Sequence, residues 1–195
     1  LKKIGITGCM GSGKTTVSRI FMQLGVPVYD ADSRAKWLMV NNNHLIRSIK
    51  EIFGSNAYTP DGLLNRLFIA AEAFKQPELL QQLNRVVHPL VFADFDGWCY
   101  EHLKHSYIVK EAALMFESDS YKQLDEIIVV TAPESLRIQR SMQRDGSSKE
   151  AVLARMRNQM TETEKLSKAQ HEIKNDEEHL LIPQVLALHK KWANA

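Results

Sequence analysis

The sequence predicts an α/β protein built on a parallel sheet, and three observations carry that prediction. Residues 3–29 read as strand, glycine-rich turn, amphipathic helix and strand. Two later apolar runs, at 107–113 and 126–131, have strand character, and a helical pattern follows the second. Between the two halves of the sheet, residues 33 to about 104 are dominated by helical patterns. Strands alternating with helices are the signature of crossover units that cover a parallel sheet.

Each element has its own justification. Residues 3–7 are a short apolar strand. Residues 14–24 are helical because Val17, Ile20, Phe21 and Leu24 fall at i, i+3, i+4 and i+7, and Gly25 supplies a stop. Residues 26–29 are a second strand, which ends in the acidic "DAD" at 30–32. The helical block is expected to break at "NNN" (41–43), "TPDG" (59–62), Pro77 and Pro89. "IIVV" within 126–131 marks the clearest buried strand. Pro133 is expected to open a helix through Met142, its fixed backbone angle suiting the first helical position. Ser147–Glu150 and Thr161–Glu164 match capping boxes, so two short helices should follow. Residues 171–174 are a candidate fifth strand. Residues 177–192 form an amphipathic helix that Pro183 should kink or divide.

The 195 residues suit one domain, 1–195, with a helical region at about 33–104 and two short helices at about 145–168. Apolar residues make up 44% and charged residues 25%, the balance of an ordinary globular protein. A formal charge of +2 gives no reason to expect a nucleic-acid or membrane partner. Cys9 and Cys99 lack metal or CxxC spacing and are expected as free thiols in a reducing compartment. No apolar run is long enough to span a bilayer and no signal segment is evident, so the cytoplasm is the expected location. Oligomeric state is left open.

Residues 8–15, "GCMGSGKT", match G-x-x-x-x-G-K-[ST]. Glycines let successive amide N–H groups converge on one concavity, and the following helix N-terminus adds positive potential. Lys14 brings a full charge toward the β- and γ-phosphates, and the Thr15 hydroxyl can hold Mg²⁺. The motif follows a strand and opens a helix, the context that nucleoside triphosphate binding requires. Asp30 and Asp32 end the second strand on the same rim, and alternation along an extended backbone would point both to one side. A carboxylate there either takes a proton from an attacking hydroxyl, holds Mg²⁺ through water, or caps the next helix. Asp32 is favoured for chemistry; for Asp30 the readings stay balanced.

"GITGCMGSGKTTV", "LGVPVYDADSRAK", "DGLLNR", "HP", "ALMFE", "QRSMQRDG" and "NQM" are similar, in order and spacing, to dephospho-coenzyme A kinases. The resemblance implies a P-loop kinase fold: a five-stranded parallel sheet flanked by helices, with a helical substrate-binding insertion and a lid. It implies transfer of the ATP γ-phosphate to the ribose 3′-hydroxyl of dephospho-coenzyme A. By position it implies ATP binding at Gly11, Ser12, Gly13, Lys14, Thr15 and Thr16, with Asp32 as base. It places Arg66 and His88 in the substrate region, Arg140 and Arg144 as the basic pair leading into the lid, and Asn175 near the nucleotide base. Cys9, Lys36, Asn65, Glu111 and Gln170 depart from the family pattern. Lys36 in place of arginine would lose a bidentate grip, and Glu111 is a longer acid than usual.

Other residues have plainer readings. Arg140 and Arg144 share a helix face, with Arg137 one turn earlier and Arg155 and Arg157 in the lid region, where closure would exclude water. His88 precedes Pro89 and is therefore expected in extended backbone at a helix boundary, bonding a substrate phosphate or a backbone carbonyl. "FADFDGW" (92–98) is expected to pack in the core rather than stack on adenine. Two alternatives remain at this level. One is a kinase for a nucleoside monophosphate or another small alcohol. The other is a nucleotide-dependent switch, against which stands the absence of an N-K-x-D segment.

Overall fold

The structure, a computed structural model, describes residues 1–193. Five strands form one parallel sheet: β1 (Lys2–Thr7), β2 (Val28–Asp30), β3 (Tyr107–Glu111), β4 (Glu126–Thr131) and β5 (His171–Lys174). Their order is β2-β3-β1-β4-β5. In register, Asp30 lies beside Glu111, and Ile6 beside both Glu111 and Ile128. The carboxyl ends of the strands therefore share one rim, where ligands bind in open parallel sheets.

Helices α1 (Lys14–Gln23) and α9 (Leu181–Ala193) cover one face of this sheet. Ile4, Ile6, Val109, Ile128, Val130 and Ile173 alternate toward that face and meet Val17, Phe21, Val185 and Trp192 in one buried cluster. Trp192 lies against Phe21, Tyr107 and His171. Truncating it to alanine would cost about 3–5 kcal/mol, the range for a buried large aromatic. On the other face, a side chain at Gly5 would collide with Met115 and Leu124 at 2.7 Å. Burial on both faces is what makes these strands continuous apolar runs rather than alternating ones.

After β4 come α6 (Glu134–Asp145), α7 (Lys149–Met156) and α8 (Glu162–Leu166). Thr161 and Glu164 form the expected capping box. Three expectations shift. Pro133 is the N-cap of α6, one residue before the helix. Ser148, not Ser147, caps α7, its hydroxyl accepting the Ala151 N–H at 3.3 Å. The helix expected from 177 starts at Leu181, so Pro183 lies in its first turn, where no intrahelical N–H bond is lost, and the helix is not divided.

The chain divides into two compact units: residues 1–30 with the segment from Cys99 onward, and Ala31–Trp98. The second is helical, with α2 (Ala31–Asn41), α3 (Asn43–Phe53), α4 (Arg66–Lys75) and most of α5 (Pro77–Glu101). Asn42 and Asn65 cap α3 and α4 by accepting the N–H groups of Leu45 and Phe68. Arg34 on α2 grips Asp94 on α5 through two bonds, 2.8 and 2.5 Å long. The break expected at Pro89 does not occur: α5 runs through it for 25 residues. Val87, Val91, Phe95 and Cys99, all buried, repeat every fourth position across the proline, and their burial outweighs its missing donor. Pro89 itself is exposed, which spares the helix a buried defect.

Candidate active site

The site is built on the turn between β1 and α1. Gly11 has φ 80°, and a Cβ there would sit 2.2 Å from the Arg137 carbonyl oxygen on α6. Gly13 has φ 92°, and its Cβ would sit 2.0 Å from Asn175 Nδ2. Both positions thus need glycine for backbone angle and for space. Gly13 is also the N-cap of α1, so no side chain caps that helix, and its first turn carries no acid. Its amide N–H groups and the positive end of its dipole are left for an anion.

Lys14 opens α1 and curls back over the turn, with Nζ 3.0 Å from the Gly8 carbonyl and 3.3 Å from that of Cys9. Ser12 is buried, and its Oγ has no hydrogen-bond partner among the described residues. Asn175, just past β5, donates Nδ2–H to the Ser12 carbonyl at 2.8 Å, and its own N–H binds the Thr131 carbonyl. Arg140 on α6 donates to the Asn175 carbonyl at 3.0 Å and pairs with Glu177 at 3.3 Å. Asn175, expected near a nucleotide base, is seen here bracing the turn.

A cavity of about 350 Å³ opens beside this turn, lined by Gly11, Gly13, Lys14, Thr15, Thr16, Arg19, Arg140 and Arg144. Arg19 was missed in the sequence. Its signal was the i, i+4 spacing from Thr15 on α1, which places both on one helix face. Arg144 reaches the cavity while its guanidinium grips Asp145 at 2.7 and 3.1 Å. Arg155 adds a third bond at 2.8 Å. The hydrogen bond from Arg144, helped by that from Arg155, outweighs the opposing effect of burial and holds the Asp145 carboxyl at about 2. Arg137, beside this pair in sequence, is buried instead, with its Nε bonded to the Ala132 carbonyl.

On the rim, Thr15 donates its hydroxyl to Glu111 Oε1 at 2.8 Å. Glu111 is only 8% exposed, yet among the described residues its side-chain partner is that hydroxyl and not a cation. A buried carboxylate beside a hydroxyl is a hard oxygen donor set, the kind Mg²⁺ selects, so the residues fit the metal.

The two aspartates do not share an extended backbone. Asp30 ends β2, Ala31 starts α2, and Asp32 lies in the first turn of that helix. Helical turn replaces strand alternation, so the argument that both point to one side fails. Both are exposed. In the helical unit, Arg66 is the exposed first residue of α4. His88 lies inside α5, not at an extended boundary, with its ring stacked on Phe92 at 6.3 Å. Burial lowers its pKa, so it is neutral at pH 7. Phe95 is fully buried, as the packing reading of "FADFDGW" required.

A parallel sheet whose first strand feeds a glycine turn, an uncapped helix and an invading lysine defines a P-loop kinase. The comparisons narrow the class. A profile of dephospho-CoA kinase matches residues 2–180. A dephospho-CoA kinase from Porphyromonas gingivalis is 43% identical over 187 residues, covering 95% of this chain and 91% of the relative. A solved structure from Thermus thermophilus superposes with a TM-score of 0.84 at 33% identity, covering 97% of this chain and 96% of that one. Dephospho-CoA kinase from Campylobacter jejuni does so with a TM-score of 0.73 at 27% identity, over 98% and 97%. The chain belongs to the dephospho-CoA kinase family. It is an ATP-dependent kinase acting on a hydroxyl group. Among the described residues, no helix is long and apolar enough to cross a membrane.

Proposed function

We propose that the turn around Lys14 binds the triphosphate of Mg²⁺-ATP and that Asp32 takes the proton from the ribose 3′-hydroxyl of dephospho-coenzyme A as the γ-phosphate is transferred. The observation that carries this reading is the pairing of an uncapped helix start with a buried carboxylate and a hydroxyl on the same rim. Thr15 and Glu111 would hold the metal, which when bound offsets charge on the β- and γ-oxygens. Lys14 turns its ammonium from the two turn carbonyls toward the γ-phosphate. Arg140 and Arg144, lining the same cavity, add positive charge where the equatorial oxygens develop negative charge.

Asp32 is an exposed residue in the first turn of α2, two residues beyond the end of β2, and is assigned the proton of the substrate hydroxyl. Asp30, Arg66 and His88 are assigned to the acceptor. The neutral His88 suits a hydrogen bond to the acceptor better than a charge contact with phosphate. Residues 145–168 act as the lid, whose closure keeps water from the γ-phosphate.

Mass spectrometry of dephospho-coenzyme A incubated with the protein and Mg²⁺-ATP tests the reading. A gain of one phosphate on the ribose is expected. Phosphorylation of a nucleoside monophosphate in preference to dephospho-coenzyme A would replace it.

A further inference from the structure

The loop between α7 and α8 is tied to the glycine turn by contacts that neither substrate binding nor charge compensation explains. Gln159 Oε1 accepts the backbone N–H of Met10 at 2.8 Å. The adjacent Met160 carbonyl accepts the Cys9 thiol at 3.7 Å. Burial raises the Cys9 pKa, so the sulfur keeps the proton it donates. Two consecutive loop residues thus hold two consecutive residues of the turn.

The loop is anchored from its other side as well. Glu117 Oε1 accepts the Met160 N–H at 2.8 Å and lies 2.9 Å from Lys165 Nζ. Lys165 is completely buried and donates a second bond to the Ala113 carbonyl at 3.0 Å. A buried ammonium held by a carboxylate and a carbonyl is a rigid post, because breaking the carboxylate contact leaves a buried charge without compensation. Beside the loop lies a cavity of about 500 Å³, whose lining includes Cys9, Pro133, Arg137, Gln159, Thr161 and Glu162.

The geometry points to Gln159 as a positioning residue for phosphoryl transfer: from the lid loop it fixes the Cys9–Met10 arc, and through that arc the shape of the phosphate cradle. Gln159 needs no contact with substrate to do this. A neutral amide oxygen is suited to the task, since it satisfies the Met10 N–H without placing negative charge beside a triphosphate. The effect is expected in kcat more than in ATP affinity, because Cys9 and Met10 precede Gly11 in the chain while the helix start assigned to the triphosphate follows it.

The inference rests on the kinase reading, and its test has one arm that does not. Gln159→Met keeps the bulk and removes the acceptor. One hydrogen bond used in the transition state corresponds to roughly tenfold in rate. The expected result is a kcat lowered by about that factor, with ATP Kd within about twofold and melting unchanged. Amide exchange read at Met10 should show protection in the wild type and in Gln159→Glu, which keeps an oxygen at that reach, and loss of protection in Gln159→Met. Turnover of Gln159→Met within twofold of wild type, or a loss matched by an equal loss of folded protein, would overturn the assignment. So would an unprotected Met10 amide in the wild type, a result that needs no variant. If the protein phosphorylates nothing, the kinase reading fails while the exchange arm still tests the contact.

Discussion

The two rims of the sheet use glutamate in opposite ways. At the amino end of β4, Glu126 is surrounded by hydrogen-bonding partners: Lys2 and His171 bond it directly, Lys191 approaches at 3.0 Å and Trp192 Nε1 at 3.3 Å. At the carboxyl end of β3, Glu111 meets one threonine hydroxyl. Desolvation raises the Glu126 pKa, but hydrogen bonds from Lys2, His171 and Lys191 overcome it and hold the group at about 2. The first acid has its countercharges built in and serves stability. The second has no cation beside it among the described residues, and in the proposed function it helps to hold Mg²⁺.

That contrast can be broken most sharply at the functional end. Asp32→Asn should slow turnover by roughly 10²-fold or more, the usual range for a general base, with ATP affinity and melting little altered. Equal turnover in initial-rate assays would remove Asp32 from the chemistry. Glu111→Gln should lower activity by roughly 10- to 100-fold and raise the Mg²⁺ concentration needed for half-maximal rate. An unchanged Mg²⁺ titration would show that Glu111 is structural, like its counterpart on the other rim. Chelation by EDTA should abolish transfer in the wild type and leave the melting temperature nearly unchanged.

The stabilising end should behave in the reverse sense. Glu126→Gln should cost about 1.5–3 kcal/mol of unfolding free energy, the scale of hydrogen bonds to a charged group, while kcat and KM stay within twofold. The pH dependence follows from the sign of the shift. The folded pKa is depressed, so the stabilisation is full above the unfolded value of about 4.3 and is lost as pH falls toward 2. Urea midpoints at pH 7 and pH 3 should therefore differ less in Glu126→Gln than in the wild type. The smallest effect is expected at Asp145→Asn, which releases the exposed Arg144 and Arg155. Exposed pairs are worth about 0.2–1 kcal/mol, so the KM for ATP should change by less than about fivefold.

The difference between the rims also explains what was legible in the sequence. The glycine turn was readable because backbone angle and close approach leave glycine as the residue that fits at 11 and 13, and a lysine and a threonine follow at fixed spacing. β4 was readable to the residue because a charge and a turn bracket its apolar run. The Glu126 cluster was not, since its members come from four separate segments that meet only in the folded sheet. The "DAD" geometry was misread because a helix begins one residue after β2, and local periodicity does not announce so abrupt a change. Pro89 misled for the complementary reason: a buried stripe at every fourth residue kept α5 intact.

Asn175 has a consequence for how the protein comes into being. The motif that names the nucleotide site is finished by residue 16, yet its cradle is braced by an amide that follows β5, more than 150 positions later in synthesis. A nascent chain carrying every glycine of the turn would still grip ATP poorly until that late segment docked. Nucleotide affinity should switch on only once β5 and the residue after it have docked, as a signal that the whole sheet has closed.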